Sequence, residues 1–227
     1  MLNYLLPYKY QFWFHKKMHT EKIKTAYHEA GHAVVAALFT DRLTLKCLTI
    51  DKELAKSINP EYQGGLFIEW HTEPQRHEFD KLDSMVLIAA AGMCAKTIFV
   101  DGKEKARTLI KHYIENPTKN MQADGAFDDY EIAKDFMEPT MFHFRIKQSH
   151  IFATALKFTF EYLLKEEVWM SLESIAEELF KHEKQTFTLD EILAQIKTSG
   201  LENFLITNKL FILSQRHPLT KSRLSYT

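Results

Sequence analysis

His28-Glu29-Ala30-Gly31-His32 brings two imidazoles and a carboxylate together at a spacing that can do metal chemistry. On a helix, residues four apart lie on nearly one face, about one turn from each other, so both rings can reach a single ion. Glu29 leaves the helix in an adjacent direction and can touch a water on that ion without ligating it. The pattern H-E-x-x-H therefore reads as two neutral zinc ligands plus a carboxylate base. The plainer reading is a helix carrying two solvated histidines. Against it, Ile23, Tyr27, Ala30, Val34 and Leu38 recur at threes and fours and put the apolar face elsewhere on the same helix.

A catalytic zinc needs a third protein ligand and an open position. The densest acidic cluster downstream is the run from Asp124 to Ala133, which holds Asp124, Asp128, Asp129 and Glu131 at the start of an expected helix. Acids in a first turn also complement the helix dipole and need no metal to explain them. Residue chemistry alone leaves the choice between Asp124, Asp128 and Asp129 open.

These groups need a scaffold, and periodicity supplies its outline. A helix is expected from Thr20 to Phe39. Between Asp41 and Trp70, alternation at Leu45, Cys47 and Thr49, a turn at Asn59-Pro60, and Gly64-Gly65 leading into Leu66-Phe67-Ile68 predict two or three short strands. A helix follows from about Gln75 to Val100. Its apolar run Met85 to Ala95 is stopped by Lys96 and reads as a buried core helix rather than a membrane span. Residues 101–123 form a polar, basic connection with a short helix before Asn116-Pro117, and the remainder is helical. Leu172, Ile175, Ala176, Leu179 and Phe180 make one amphipathic face; Leu189, Ile192, Leu193 and Ile196 make another behind a capping box, Thr188 to Glu191. The expected class is α+β, dominated by helices, with one small sheet.

Composition narrows the chemistry further. The 227 residues are 45% hydrophobic and 26% charged, with a net charge of -1, which fits a globular protein with a real core and gives no electrostatic reason to expect nucleic acid. Only seven glycines occur, and none forms a Walker A loop or a dinucleotide fingerprint; the one Gly-Lys pair, Gly102-Lys103, has Thr97 five residues before it. Two cysteines, Cys47 and Cys94, fall in no metal or redox spacing and suggest a reducing, cytoplasmic compartment. Leu2 to Phe14 is rich in aromatics but holds Pro7 and Lys9 and precedes Lys16 and Lys17. It is expected to be an amphipathic anchor peripheral to a membrane, a strap on the core, or residues upstream of the true start.

Ala26-Tyr27-His28-Glu29-Ala30-Gly31-His32-Ala33 resembles the active-site helix of the peptidase domain of FtsH-type zinc proteases. Three further stretches match in order. Ala91-Gly92-Met93-Cys94-Ala95 resembles the Gly-x-Ala-Ala-Glu helix beside that site. Gly125-Ala126-Phe127-Asp128-Asp129 with Ile132-Ala133 resembles the Gly-Ala-x-Asn-Asp segment whose last Asp is the third ligand. Ala155 to Leu164, Trp169 and Leu172 to Ile196 resemble the helical end of the domain.

The resemblance implies a zincin-like fold with a C-terminal helical bundle over residues 20–198, preceded by an extension, 1–19, and followed by a tail of unknown role, 199–227. It also implies zinc held by His28, His32 and Asp129, with Glu29 as general base of a metalloendopeptidase. A polypeptide substrate would lie along an edge strand at Gly65, Leu66 and Phe67, although a plain structural strand there is an equal alternative. Two departures stand out: Lys96 replaces the usual Glu, and Asp128 the usual Asn, which leaves a second acidic contact at the metal open. The connection from Val100 to Ala123 is longer than the family norm, as a lid or a partner surface would be.

The family's AAA ATPase module is not found in these residues, so the expected substrates are flexible or unfolded segments, or chains delivered by a separate ATPase or adaptor. A homo-oligomer is expected by family analogy. Two rivals remain: an inactive relative serving as a binding module, and a short H-E-x-x-H protease that cleaves transcription regulators and would not need the segment from Gly125 to Asp129. His71, His77, His112, His143, His150, His182 and His217 lack ligand spacing and read as surface residues. Phe142, Phe144, Phe152, Phe158 and Phe160 read as core or interface, and Lys103 to Lys111 as a solvated helix face.

Overall fold

A computed structural model describes residues 8–58, 64–115, 127–182 and 184–215, with side chains for 21–57, 64–115, 129–182 and 184–208. The elements are α1 (Tyr8–Ala36), a 3-10 turn (Ala37–Phe39), β1 (Leu43–Thr49), α2 (Lys52–Ile58), β2 (Gly65–Trp70), α3 (Phe79–Asp101), α4 (Lys103–Glu115), α5 (Phe127–Phe144), α6 (Gln148–Leu163), α7 (Glu166–Lys181), β3 (Thr186–Thr188), α8 (Leu189–Thr198) and α9 (Leu201–Gln215). The class is α+β and predominantly helical, with one three-stranded antiparallel sheet of order β2-β1-β3. Expectations for residues 1–7, 59–63, 116–126 and 216–227, among them the Asn59-Pro60 turn, Asp124, Gly125 and His217, lie outside the described residues. So do those for the aromatic side chains of 8–14 and for Asp128.

α3 is the centre of the fold. It is apolar almost all round, as a helix must be to sit inside others: residues 86–95 are all buried, and the helix packs against α1, α4, α5 and α6. The apolar stretch from Phe79 to Glu115 is long and apolar enough to cross a membrane by length and composition, yet 61% of its most apolar window is buried inside the protein. Tyr27 of α1 stacks on Phe99, with ring centroids 3.8 Å apart, while Gly31 meets Ala95 and Ala91, so the two helices run antiparallel. α7 packs on the other side of α1 through Trp169, Leu172, Ile175, Ala176 and Leu179, the face that the periodicity marked.

β1 lies between β2 and β3, so among the described residues β2 pairs on one side only and forms a sheet edge. A register shift between Leu45 and Cys47 bends that ladder. Thr188 and Glu191 open α8 as the sequence indicates: the Glu191 carboxylate accepts hydrogen bonds from the Thr188 N–H at 2.7 Å and its hydroxyl at 2.9 Å.

Several boundaries differ from expectation. α1 begins at Tyr8 rather than Thr20, because no breaker follows Pro7. The region expected to hold only strands contains a helix, α2, started by Asp51, whose carboxylate accepts the backbone N–H groups of Glu53 and Leu54. The polar connection after Gly102 carries a full helix, α4, held by buried Ala106, Ile110 and Tyr113, with Lys103, Lys105 and Lys111 exposed as expected. α9 buries Leu201 and Leu205 against α7 and α8. Phe152 and Phe160 are core residues, whereas Phe142 is 70% exposed.

Candidate metal centre

α1 carries the two histidines and α5 the third group. Among the described residues, His28, His32 and Asp129 form the one cluster of ligating side chains whose donor atoms all lie within 4.8 Å. The ring nitrogens His28 Nε2 and His32 Nε2 are 3.1 Å apart; Asp129 Oδ2 lies 3.1 Å from His28 Nε2, and Asp129 Oδ1 3.5 Å from His32 Nε2. Ligands about 2.0–2.2 Å from one tetrahedral ion stand roughly 3.3–3.5 Å from each other, so the spacing suits a zinc-sized cation. At 3.1 Å, Asp129 Oδ2 is close enough to His28 for a hydrogen bond, yet it is buried with no bond of acceptable geometry. An orphaned carboxylate oxygen facing two ring nitrogens is what a cation between them would satisfy.

The rings are aimed by groups outside the triad. Nδ1 of His32 lies 2.6 Å from the Ile88 carbonyl, which can only accept, so Nδ1 carries a proton and Nε2 is the nitrogen that has the lone pair when the ring is neutral. Gly92 of α3 passes directly behind both rings: a Cβ there would fall 2.4 Å from His32 Nε2 and 2.6 Å from His28 Nε2. The helix that carries Gly92 thus forms the wall of the site by having no side chain there.

Glu29 is 5% exposed and sits beside the triad. Its Oε2 has no hydrogen-bond partner among the described residues, and Gly64 leaves room for Oε1, since a Cβ at Gly64 would approach it to 2.8 Å. Burial pushes the Glu29 carboxyl above its ordinary value; the charges of His28 and His32 pull the other way and Asp129 adds to the rise. For Asp129, burial acts upward, but the neighbouring His28 and His32 outweigh it and hold the carboxyl below the usual carboxylate range. His32 shows the converse. Burial acts downward, while Asp129, Glu29 and the Ile88 carbonyl outweigh it and raise the imidazole to about 9.

These groups line a cleft of about 560 Å³, walled by Gly64 to Ile68 of the β2 edge, by Met85, Ile88 and Ala89 of α3, and by Lys24, Lys96 and Ile132. A second hollow of about 580 Å³, between Phe79, Glu138 and Phe142, lies away from the triad, which lines the first.

The structure therefore brings together His28, Glu29, His32 and Asp129, and places Gly65, Leu66 and Phe67 on the same cleft. Asp124 and the side chain of Asp128 lie outside the described residues. Of the histidines read as surface residues, His71, His77, His112, His143 and His150 are exposed; His182 is half-buried, 3.4 Å from Glu191. Sequence reasoning missed the Ile88 carbonyl, which carries no side-chain signal, and the contact role of Gly92, whose spacing within Ala91-Gly92 was visible but not its facing partner. No protein-family model and no curated protein sequence matches the chain.

Proposed function

We propose that this protein is a zinc-dependent metalloendopeptidase with a zincin-like active-site helix, related in plan to the peptidase domain of FtsH-type zinc proteases. The observation that carries the reading is the convergence of two ring nitrogens from α1 and one carboxylate from α5, with a buried carboxylate beside them in an open cleft. Two imidazoles, one carboxylate and no thiolate form a donor set suited to zinc.

Bound there by His28, His32 and Asp129, zinc would supply Lewis acidity toward a peptide carbonyl and lower the pKa of water. The chain's own residues do the rest. Glu29, shifted upward by burial, takes a proton from water with its free Oε2 and returns it to the leaving amine. Ile88 holds His32 in the ligating tautomer. Gly65, Leu66 and Phe67 of the β2 edge offer unpaired backbone groups to an extended substrate. The substrates in this reading are flexible or unfolded polypeptides, or chains handed over by an ATPase or adaptor.

Cleavage of casein by wild type and Glu29→Gln tests the reading. Removal of the base lowers the rate by about 10²-fold or more, while zinc content stays the same. Equal behaviour of the two proteins would favour a binding module that keeps the metal and does no hydrolysis.

A further inference from the structure

The cleft is unequal in charge along its length. On α3, Gly92 marks the triad by its contact with both histidine rings, and Lys96 follows one turn later on the same face. Four residues of helix advance about 6 Å. Because α1 runs antiparallel to α3, Lys24, one turn before His28, lines the same end of the cleft as Lys96. The opposite direction along α3 presents Ala89, Ile88 and Met85. One end of the cleft is thus apolar, and the other carries two ammonium groups, one from each helix, with the Glu21 carboxylate lining the same cleft beside Lys24.

For a peptide lying along the cleft in the direction of α3, an advance of about 3.3 Å per residue makes 6 Å roughly two residues, and the lysine stem widens the reach by about one more. The ammoniums are not idle: Lys24 Nζ lies 2.9 Å from Glu21 Oε1, and Lys96 also has an interaction of its own. Each ammonium has three N–H donors, so one partner leaves donors for another acceptor. Lys96 is half-buried, and a charge in such a place interacts more strongly with an incoming counter-charge than an exposed one does.

We propose that Lys96, assisted by Lys24, binds a carboxylate of the substrate within about three residues of the bond that is cut, so that the enzyme selects acidic peptides. The carboxylate comes from an Asp or Glu side chain or from a free C-terminus; both present the same chemistry to the ammonium. The inference rests on the peptidase reading, and its test separates the two.

The test uses quenched peptides of one sequence with Glu, Gln or Lys placed in turn at each of three positions on either side of the cleaved bond, each made as free acid and as C-terminal amide. Wild type is expected to favour Glu over Gln at one position by about tenfold in kcat/KM, the scale of a charge-assisted hydrogen bond. A preference that survives amidation identifies a side-chain carboxylate, and one that vanishes identifies the C-terminus. Lys96→Gln brings the Glu-to-Gln ratio toward one, and Lys96→Glu inverts it toward Lys. A merely structural lysine would lower cleavage of all peptides alike and leave the ratios unmoved.

Fluorescence anisotropy with the same peptides and the Glu29→Gln protein reads binding without turnover, and Lys96→Glu in that background reverses the order of affinities. Binding that follows charge without cleavage by wild type overturns the peptidase reading and the placement beside a cut bond, while carboxylate binding by Lys96 stands. Cleavage or binding with no preference for Glu, or with a preference unchanged in Lys96→Glu, overturns the inference.

Discussion

His32 carries the acid–base balance of the site. Without metal its imidazole is raised from an ordinary 6.5 to about 9, Asp129 and Glu29 outweighing burial, and Asp129 is lowered from 3.8 by His28 and His32. A group raised on folding stabilises fully below its unfolded value and loses that contribution as pH rises through its folded value; a lowered carboxyl stabilises above its unfolded value and loses that as pH falls. The metal-free pair is thus at full strength between about pH 4 and 6.5 and weakens toward about 9. Zinc takes neutral imidazole, so at neutral pH it must displace a proton from His32, and its apparent affinity rises from pH 6.5 toward 9. Calorimetric zinc titrations at pH 7 in two buffers of different ionisation enthalpy should report net proton release; identical heats would contradict this account.

At this scale the sequence was most informative where local spacing is enough. Two histidines four apart need only a helix to converge, and that helix is there. Asp129 could not be told from Asp124 and Asp128 by residue chemistry, since first-turn acids have a sufficient cause in the helix dipole; only the packing of α5 against α3 brings Asp129 to the rings.

Among elements, the contact between α1 and α3 decides whether the site exists. Gly31 lets the helices close: an added Cβ would meet the Ala91 carbonyl oxygen at 2.7 Å and the Ala95 Cβ at 2.6 Å. Neither can swing aside, so Gly31→Ala must part the helices. The expected cost is about 1–3 kcal/mol, as for overpacking elsewhere, seen as a lower Tm. Gly92→Ala meets ring atoms instead, at 2.4 and 2.6 Å, and rings can turn. It should lose zinc with a smaller change in the Tm of the metal-free protein. A larger loss of metal-free stability in Gly92→Ala than in Gly31→Ala would contradict this division.

Long periodic helices were legible because one residue in three or four reports the buried face. β3 was not: its three residues become a strand only through pairing with Cys47, Leu48 and Thr49, far earlier in the chain. α2 was hidden by polarity, since among its described side chains only Ala55 is buried and its start depends on one carboxylate cap.

Across the whole molecule, the candidate metal centre joins parts of the chain that are distant in sequence. α1 gives the two imidazoles, α5 the carboxylate, and α3 stands between as the wall that both pack against. The small sheet adds an edge to the same cleft, and α7 closes the far side of α1 with α8 and α9 packed on α7. The scarcity of glycine gains a physical meaning here: the residues that exclude a phosphate cradle include Gly31, Gly64 and Gly92, each at a place where a methyl group would invade the site or its packing. Such a centre would hold metal only with all three ligands present, because two imidazoles alone would leave the ion undersatisfied.

The central claim is most directly tested by the zinc content of the purified protein after exhaustive dialysis, measured for wild type and Asp129→Ala by elemental mass spectrometry. The account predicts about one zinc per chain in wild type, as a three-ligand site requires, and loss of most of it in Asp129→Ala with helical content retained. Stoichiometric zinc persisting in the variant, or a wild-type protein that takes up no zinc, would contradict it.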